Sequence, residues 1–181
     1  DLSRRDAGQQ PALLVEHARG VREHHELLRT EHLGEDEEVA DTEKFNTLRS
    51  LAFFNDFTDP ELWEVMRIST WENLPAGTTI MQDGDPGDFF CILASGEVKV
   101  TKRKKLLNLL TPGECFGEMA YISGGKVPRH ANVEAMSDLL LAEFDPIELD
   151  AMSVGAQLQL TRALVRNLAD RLQLANSRLT G

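Results

Sequence analysis

From Trp71 onward no apolar stretch runs long before a turn stops it. Segments of four to seven residues rich in Ile, Val, Leu and Phe are separated by Asp83-Gly84, Pro86-Gly87, Ser95-Gly96 and Pro112-Gly113. Such pairs break or reverse a chain because Gly reaches backbone angles closed to other residues, while Pro fixes its own. Regular short strands with glycine turns describe an antiparallel sheet rolled on itself, not a parallel one. "HANVEA" and "DLLLAEFD" supply two further strands, about eight in all. In this reading the loop "QDGDPGDFF", with Gly84 and Gly87, turns the sheet and does no chemistry, and Ser95-Gly96 makes the next hairpin. The run "KRKK" at 102–105, between two apolar stretches, is a hairpin tip kept soluble by charge.

The flanks have a different period. Phe45, Leu48, Leu51 and Phe54 recur every three residues, and "TDPEL" then opens a second helix with Thr58 or Asp59 as N-cap and Pro60 in its first turn. Beyond Asp145-Pro146 the pattern is helical to the end: Leu158, Val165, Leu168, Leu172, Ala175 and Leu179 form one stripe, widened by Leu160, Leu164 and Leu174. That is more apolar face than one neighbour needs. The fold class is therefore α+β, a jelly-roll-like antiparallel β-roll between N-terminal helices and a long C-terminal helix. Three parts are expected: an acidic, partly helical or flexible segment at 1–42, the roll with its flanking helices at 43–152, and a lid or dimerisation helix at 153–181.

Charge and composition narrow the function. With 181 residues, a formal net charge of -11 and a pI near 4.9, the chain suits one domain with appendages. So acidic a protein is a poor partner for a phosphate backbone, which is bound by Lys and Arg displacing counterions. No run approaches the roughly 18 apolar residues of a membrane span, and no apolar stretch follows the N-terminal arginines as a signal peptide requires. The start at Asp1 points to a piece of something longer. Cys91 and Cys115 read as buried free thiols of a cytoplasmic protein. Leu14, Val21 and Leu28 give a thin helical seam, and His17, His24, His25 and His32 near it are assigned to a solvated or partner-packing helix, since neither Cys nor an i, i+4 pair accompanies them to hold a metal.

Chemistry concentrates in "FGEMAYIS" and "PRHANV". Gly117 lets backbone approach a ligand, and the residues after Glu118 read as a helical turn whose free N–H groups point at an anion. A carboxylate beside a phosphate would repel it, so Glu118 makes sense facing a hydrogen-bond donor. Arg129, stiffened by Pro128, offers the planar fork that matches two phosphate oxygens.

Helices, a roll bearing "IMQDGDPGDFFCILASGEVKV", then "FGEMA" and "PRHANV", then a long helix: over about residues 45–175 this order resembles the cyclic nucleotide-binding domain family, shared by the catabolite activator protein, the regulatory subunits of protein kinase A and cyclic-nucleotide-gated channels. The resemblance implies a non-catalytic regulatory module without cofactor or metal, which senses a cyclic nucleotide and rearranges its helices toward a second copy or a linked output domain. It implies that Glu118 accepts from the ribose 2′-hydroxyl, that Arg129 holds the phosphate, and that Phe116, Gly117, Met119, Ala120 and Pro128 complete the cradle. Val100, Leu107, Met119, Ala131 and Val133 become its walls. A lid would come from the C-terminal helix, with Arg166 or Arg171 stacking on the base and Leu164 or Leu168 covering it. The chain departs from the pattern in two places. His130 stands where a small residue is usual, and the loop from Glu118 to Arg129, with Gly124 and Gly125, is longer than expected. A Thr at 130 would favour guanine, so its absence leans toward adenine and cyclic AMP. The same departures motivate the alternative, a scaffold of this fold that has lost cyclic mononucleotide binding or takes another nucleotide. A transcription factor is disfavoured by charge and by the short stretch after the last strand. A cupin-type metalloenzyme is disfavoured because the roll holds a single histidine, His130.

Overall fold

The computed structural model describes residues 40–180, so most of the acidic segment at 1–42, with its expected helix and histidines, lies outside the described residues. The described chain opens with helix α1, Asp41–Ser50, and a 3₁₀ turn, Ala52–Phe54, which together account for the three-residue apolar spacing. Helix α2 follows, Asp59–Ile68. Thr58 is its N-cap: the side chain accepts from the Glu61 amide while the Glu61 carboxylate accepts from the Thr58 amide, a reciprocal capping box.

Eight strands come next: β1 Ser69–Leu74, β2 Thr79–Met81, β3 Phe90–Ser95, β4 Val98–Lys102, β5 Lys105–Leu110, β6 Cys115–Phe116, β7 Asn132–Ala135 and β8 Leu139–Phe144. They form two four-stranded sheets, β1-β8-β3-β6 and β2-β7-β4-β5, antiparallel at every pairing. The turn at Ser95-Gly96 therefore corrects one expectation. Strands β3 and β4 lie in different sheets, so this turn is a corner and not a hairpin. Gly96 has φ +86°, and a Cβ on it would stand 2.4 Å from the Asp138 carbonyl oxygen, which makes the corner too tight for any other residue. The hairpin expected at "KRKK" is present, β4 pairing with β5 around Arg103 and Lys104, both at positive φ.

The inner strands of the first sheet, β3 and β8, are buried on both faces. Phe90 and Ile92 of β3, with Ala142 and Phe144 of β8, meet the helices, whereas Cys91 and Leu93, with Leu139 and Leu141, fill the interior of the roll. Phe90 and Phe144 are register partners and stack at 5.0 Å. Cys91 and Cys115 are both buried and free, and they belong to opposite faces of this sheet, which rules out a bridge between them.

After β8 come helix α3's successors; α3 itself is the single turn Glu118–Ile122 inside the β6–β7 connection. Helix α4 is Pro146–Asp150, capped by Asp145, and α5 is Val154–Thr180. The C-terminal helical pattern is thus interrupted. Ser153 starts α5: its hydroxyl accepts from the Ala156 amide, and both its own N–H and O–H donate to Glu64 of α2. Ala156, Leu160, Ala163 and Leu164 of α5 are buried in the helix-side core, while Val165, Leu172 and Leu179 are exposed.

Candidate functional site

The loop between β6 and β7 folds back over the inner face of the second sheet and leaves a cavity of about 330 Å³. Gly117 begins it. Its φ of +81° starts α3 abruptly after β6, and a Cβ there would lie 2.6 Å from Met81 Cε and 2.7 Å from Arg129 Nη1. Glycine is thus required both by backbone angle and by the approach of the guanidinium.

Arg129 is only 5 % exposed. Its main chain is pinned to the loop after β2, the amide donating to the Asp85 carbonyl at 2.8 Å and its carbonyl accepting from Gly84 at 2.8 Å. The guanidinium sits 4.4 Å over the Phe89 ring, and Nη1 donates to the Gly117 carbonyl at 3.1 Å. Nη2 is buried without a hydrogen-bond partner. Burial pulls the guanidinium below its ordinary range, opposed by Cys91, Asp88, Glu143 and Glu118. A Cβ on Gly87 would meet Nη2 at 2.9 Å. The "QDGDPGDFF" loop therefore does more than turn the sheet, because it holds Arg129 by both backbone groups and clears space for its fork.

Glu118, 4 % exposed, opens α3 at the same cavity. It accepts a 2.8 Å hydrogen bond from Arg171 Nη1, while Arg171 Nη2 donates to the Cys115 carbonyl. Of the lid residues expected on the C-terminal helix, only Arg171 reaches the cavity, and it comes as an ion-pair partner of Glu118. Arg166 pairs with Asp56 instead, Leu164 is consumed by the helix-side core, and Leu168 is not among the lining residues. Spacing alone could not choose between two arginines five positions apart, since the choice depends on where the axis of α5 lies.

All twelve residues singled out from the sequence line this one cavity: Phe116, Gly117, Glu118, Met119 and Ala120 from one side, Pro128, Arg129, His130, Ala131 and Val133 from another, Val100 and Leu107 from the sheet. His130 is exposed and leaves the cavity open; its carbonyl accepts from Lys102 at 2.7 Å. Gly124 and Gly125 are spent on ending α3, their amides donating to the Tyr121 and Ala120 carbonyls. Sequence reasoning missed Met81, Lys102, Asn108 and Leu110. Alternation along β4 and β5 identifies an inner face, but it does not show which part of that face the loop leaves uncovered.

Residues 71–153 match the family model described as Cyclic nucleotide-binding domain. Those residues carry strands β2 to β8, and the β-roll is therefore similar to the domains of that family. Among relatives, the chain is 29% identical over 112 residues to a CRP-like cAMP-activated global transcriptional regulator of Mycobacterium tuberculosis, covering 59% of this chain and 49% of the regulator. It is 34% identical over 104 residues to cGMP-dependent protein kinase 2 of Mus musculus, covering 54% of this chain but 13% of the kinase. The chain thus spans about half the length of the first relative and far less of the second. Among solved structures, the Thermus thermophilus catabolite activator protein superposes with a TM-score of 0.60 at 28% identity, over 71% of this chain and 61% of that one.

Proposed function

We propose that the cavity binds a cyclic nucleotide, cyclic AMP in preference to cyclic GMP, with the cyclic phosphate on Arg129 and the ribose 2′-hydroxyl donating to Glu118. The observation that carries the reading is Arg129, a buried cation that lines the cavity and whose Nη2 has no hydrogen-bond partner among the described residues. A buried donor left unsatisfied costs about 1–3 kcal/mol, more for a charged group, and a phosphate oxygen removes that cost. Glu118 in the same cavity suits a hydroxyl and not the phosphate, so the two charged groups divide the ligand between them.

The response passes through Arg171. It reaches from α5 to the carboxylate that the ribose would engage, so a ligand that binds Glu118 changes the worth of the contact holding α5. The exposed stripe of Leu158, Val165, Leu172 and Leu179 on α5 then serves a second copy or a linked output domain. Buried free thiols at Cys91 and Cys115 suit the reducing cytoplasm.

Titration calorimetry with cyclic AMP, cyclic GMP and cyclic dinucleotides, repeated on Arg129→Ala, tests the assignment. Loss of one member of a buried charge pair costs roughly 2–5 kcal/mol, so Arg129→Ala should weaken binding some thirty-fold to a few thousand-fold. Silence of the wild-type protein toward every ligand would leave the scaffold reading in place.

A further inference from the structure

Six charged or polar side chains line the cavity: Lys102, Asn108, Glu118, Arg129, His130 and Arg171. Glu118 and Arg171 hold each other, Arg129 is anchored on Gly117, and Lys102 donates to Asp83 and to the His130 carbonyl. His130 is exposed, and its carbonyl is engaged by Lys102. Asn108 is different. Half-buried in a strand that otherwise reads Lys-Leu-Leu-Leu-Leu around it, its amide has no partner among the described residues.

Strand register places it. Met81 pairs with Val133, Val133 with Val100, and Val100 with Asn108, so these four form a row across the second sheet, and all four line the cavity. Neighbouring strands are spaced about 4.8 Å, so the row spans roughly 14 Å. It starts at Met81, packed close to Gly117 and hence to the guanidinium, and ends at Asn108. A nucleotide whose phosphate sits at the first end directs its base toward the second.

The strand also breaks its alternation here. Val100 pairs with Asn108 but Thr101 pairs with Leu106, leaving Leu107 as a bulge residue. Two consecutive side chains, Leu107 and Asn108, therefore line the cavity, Leu107 still 50% exposed at its mouth, while Leu106 lies outside it. One apolar and one amide side chain, side by side, match the two surfaces of a purine: a flat apolar face and a polar edge.

We propose that Asn108 reads the edge of the base and favours adenine, with Leu107 against the ring face. An amide group offers a donor side and an acceptor side, which pair with adenine N7 and the adenine 6-amino group; the same edge of guanine presents two acceptors, N7 and O6, of which the amide serves only one. This inference rests on the cyclic-nucleotide reading of the cavity.

The test compares cyclic AMP, cyclic GMP and the cyclic monophosphate of purine riboside, which lacks the 6-amino group, on wild type, Asn108→Leu, Asn108→Ala and Arg129→Ala. The Asn108 variants should lose roughly five- to a hundred-fold for cyclic AMP, lose little for the purine-riboside ligand, and have their adenine-over-guanine preference erased. Their melting temperatures should match or exceed the wild type, since no protein hydrogen bond is removed. Arg129→Ala should weaken all three ligands alike. An equal loss for all three on the Asn108 variants, or no loss for any, overturns the base-reading role while leaving the phosphate assignment intact. A wild-type protein that binds none of them overturns both.

Discussion

Gly117 shows how much a single residue carries in this site. Its replacement by Ala forces a left-handed backbone on a residue that resists it and drives a methyl into Met81 and the Arg129 guanidinium. The backbone cost is about 1–2 kcal/mol, with crowding added. Gly77 provides the control, because it has φ +87° but open space around its Cβ position. In urea unfolding, Gly117→Ala should therefore be the more destabilising of the two, and in calorimetry it alone should weaken ligand binding; equal effects would show that crowding against Arg129 is immaterial. Cys115 carries a second prediction. Burial, then the nearby Glu118, pushes its thiol up to about 12 from an ordinary 9.0. The thiol is thus neutral at physiological pH and should resist alkylation until the protein unfolds. Because the folded-state value lies above the unfolded one, its contribution to stability is complete below pH 9 and is lost as pH rises toward 12. Alkaline titration of the melting temperature should fall in that window, and a Cys115→Ala variant should fall less steeply.

The elements contribute through their ends and their faces. The capping box on α2 is the clearest local signal, and Thr58→Ala should cost about 1 kcal/mol in chemical denaturation without altering ligand affinity, since α2 does not line the cavity. Helix α5 divides into two functional halves. Its first turns are fixed by Ser153, Leu160, Ala163 and Leu164 against the helix-side core, and beyond Val165 its side chains are half-buried at most. There the salt bridge of Arg171 to Glu118 is its tie to the cavity. Arg171→Gln removes the charge but keeps length and hydrogen-bonding capacity. Amide exchange in residues 165–180 should speed up in this variant, and added cyclic nucleotide should no longer change the exchange rate there. If ligand still shifts protection of α5 in Arg171→Gln, coupling runs by another route.

At the scale of the molecule, α5 carries a row of exposed apolar side chains among the described residues. Leu158, Val165, Leu172 and Leu179 repeat every seventh residue and are between 48% and 85% exposed, the spacing that brings two helices together in a left-handed supercoil. Light scattering at tens of micromolar should report a dimer, and Leu172→Glu should return it to a monomer that still binds ligand; a wild-type monomer would sink the second-copy interpretation. The β-roll and most of the cavity's lining were legible in the sequence because both rest on local necessity. Glycine turns at fixed intervals permit only short antiparallel strands, and a carboxylate after Phe-Gly with a lone Arg after Pro is chemistry confined to a few neighbouring residues. What tertiary structure decided was whatever depends on distant segments meeting. It made Ser95-Gly96 a corner between sheets, because β3 finds its partners in β6 and β8; it gave the "QDGDPGDFF" loop the task of holding Arg129, forty residues further on; and it chose Arg171 over Arg166, because two residues five apart point about 140° from each other around a helix and the seating of α5 decides which guanidinium meets Glu118. Local composition fixes which backbone angles and charges are available, but only the packed chain determines which of them come within hydrogen-bonding distance.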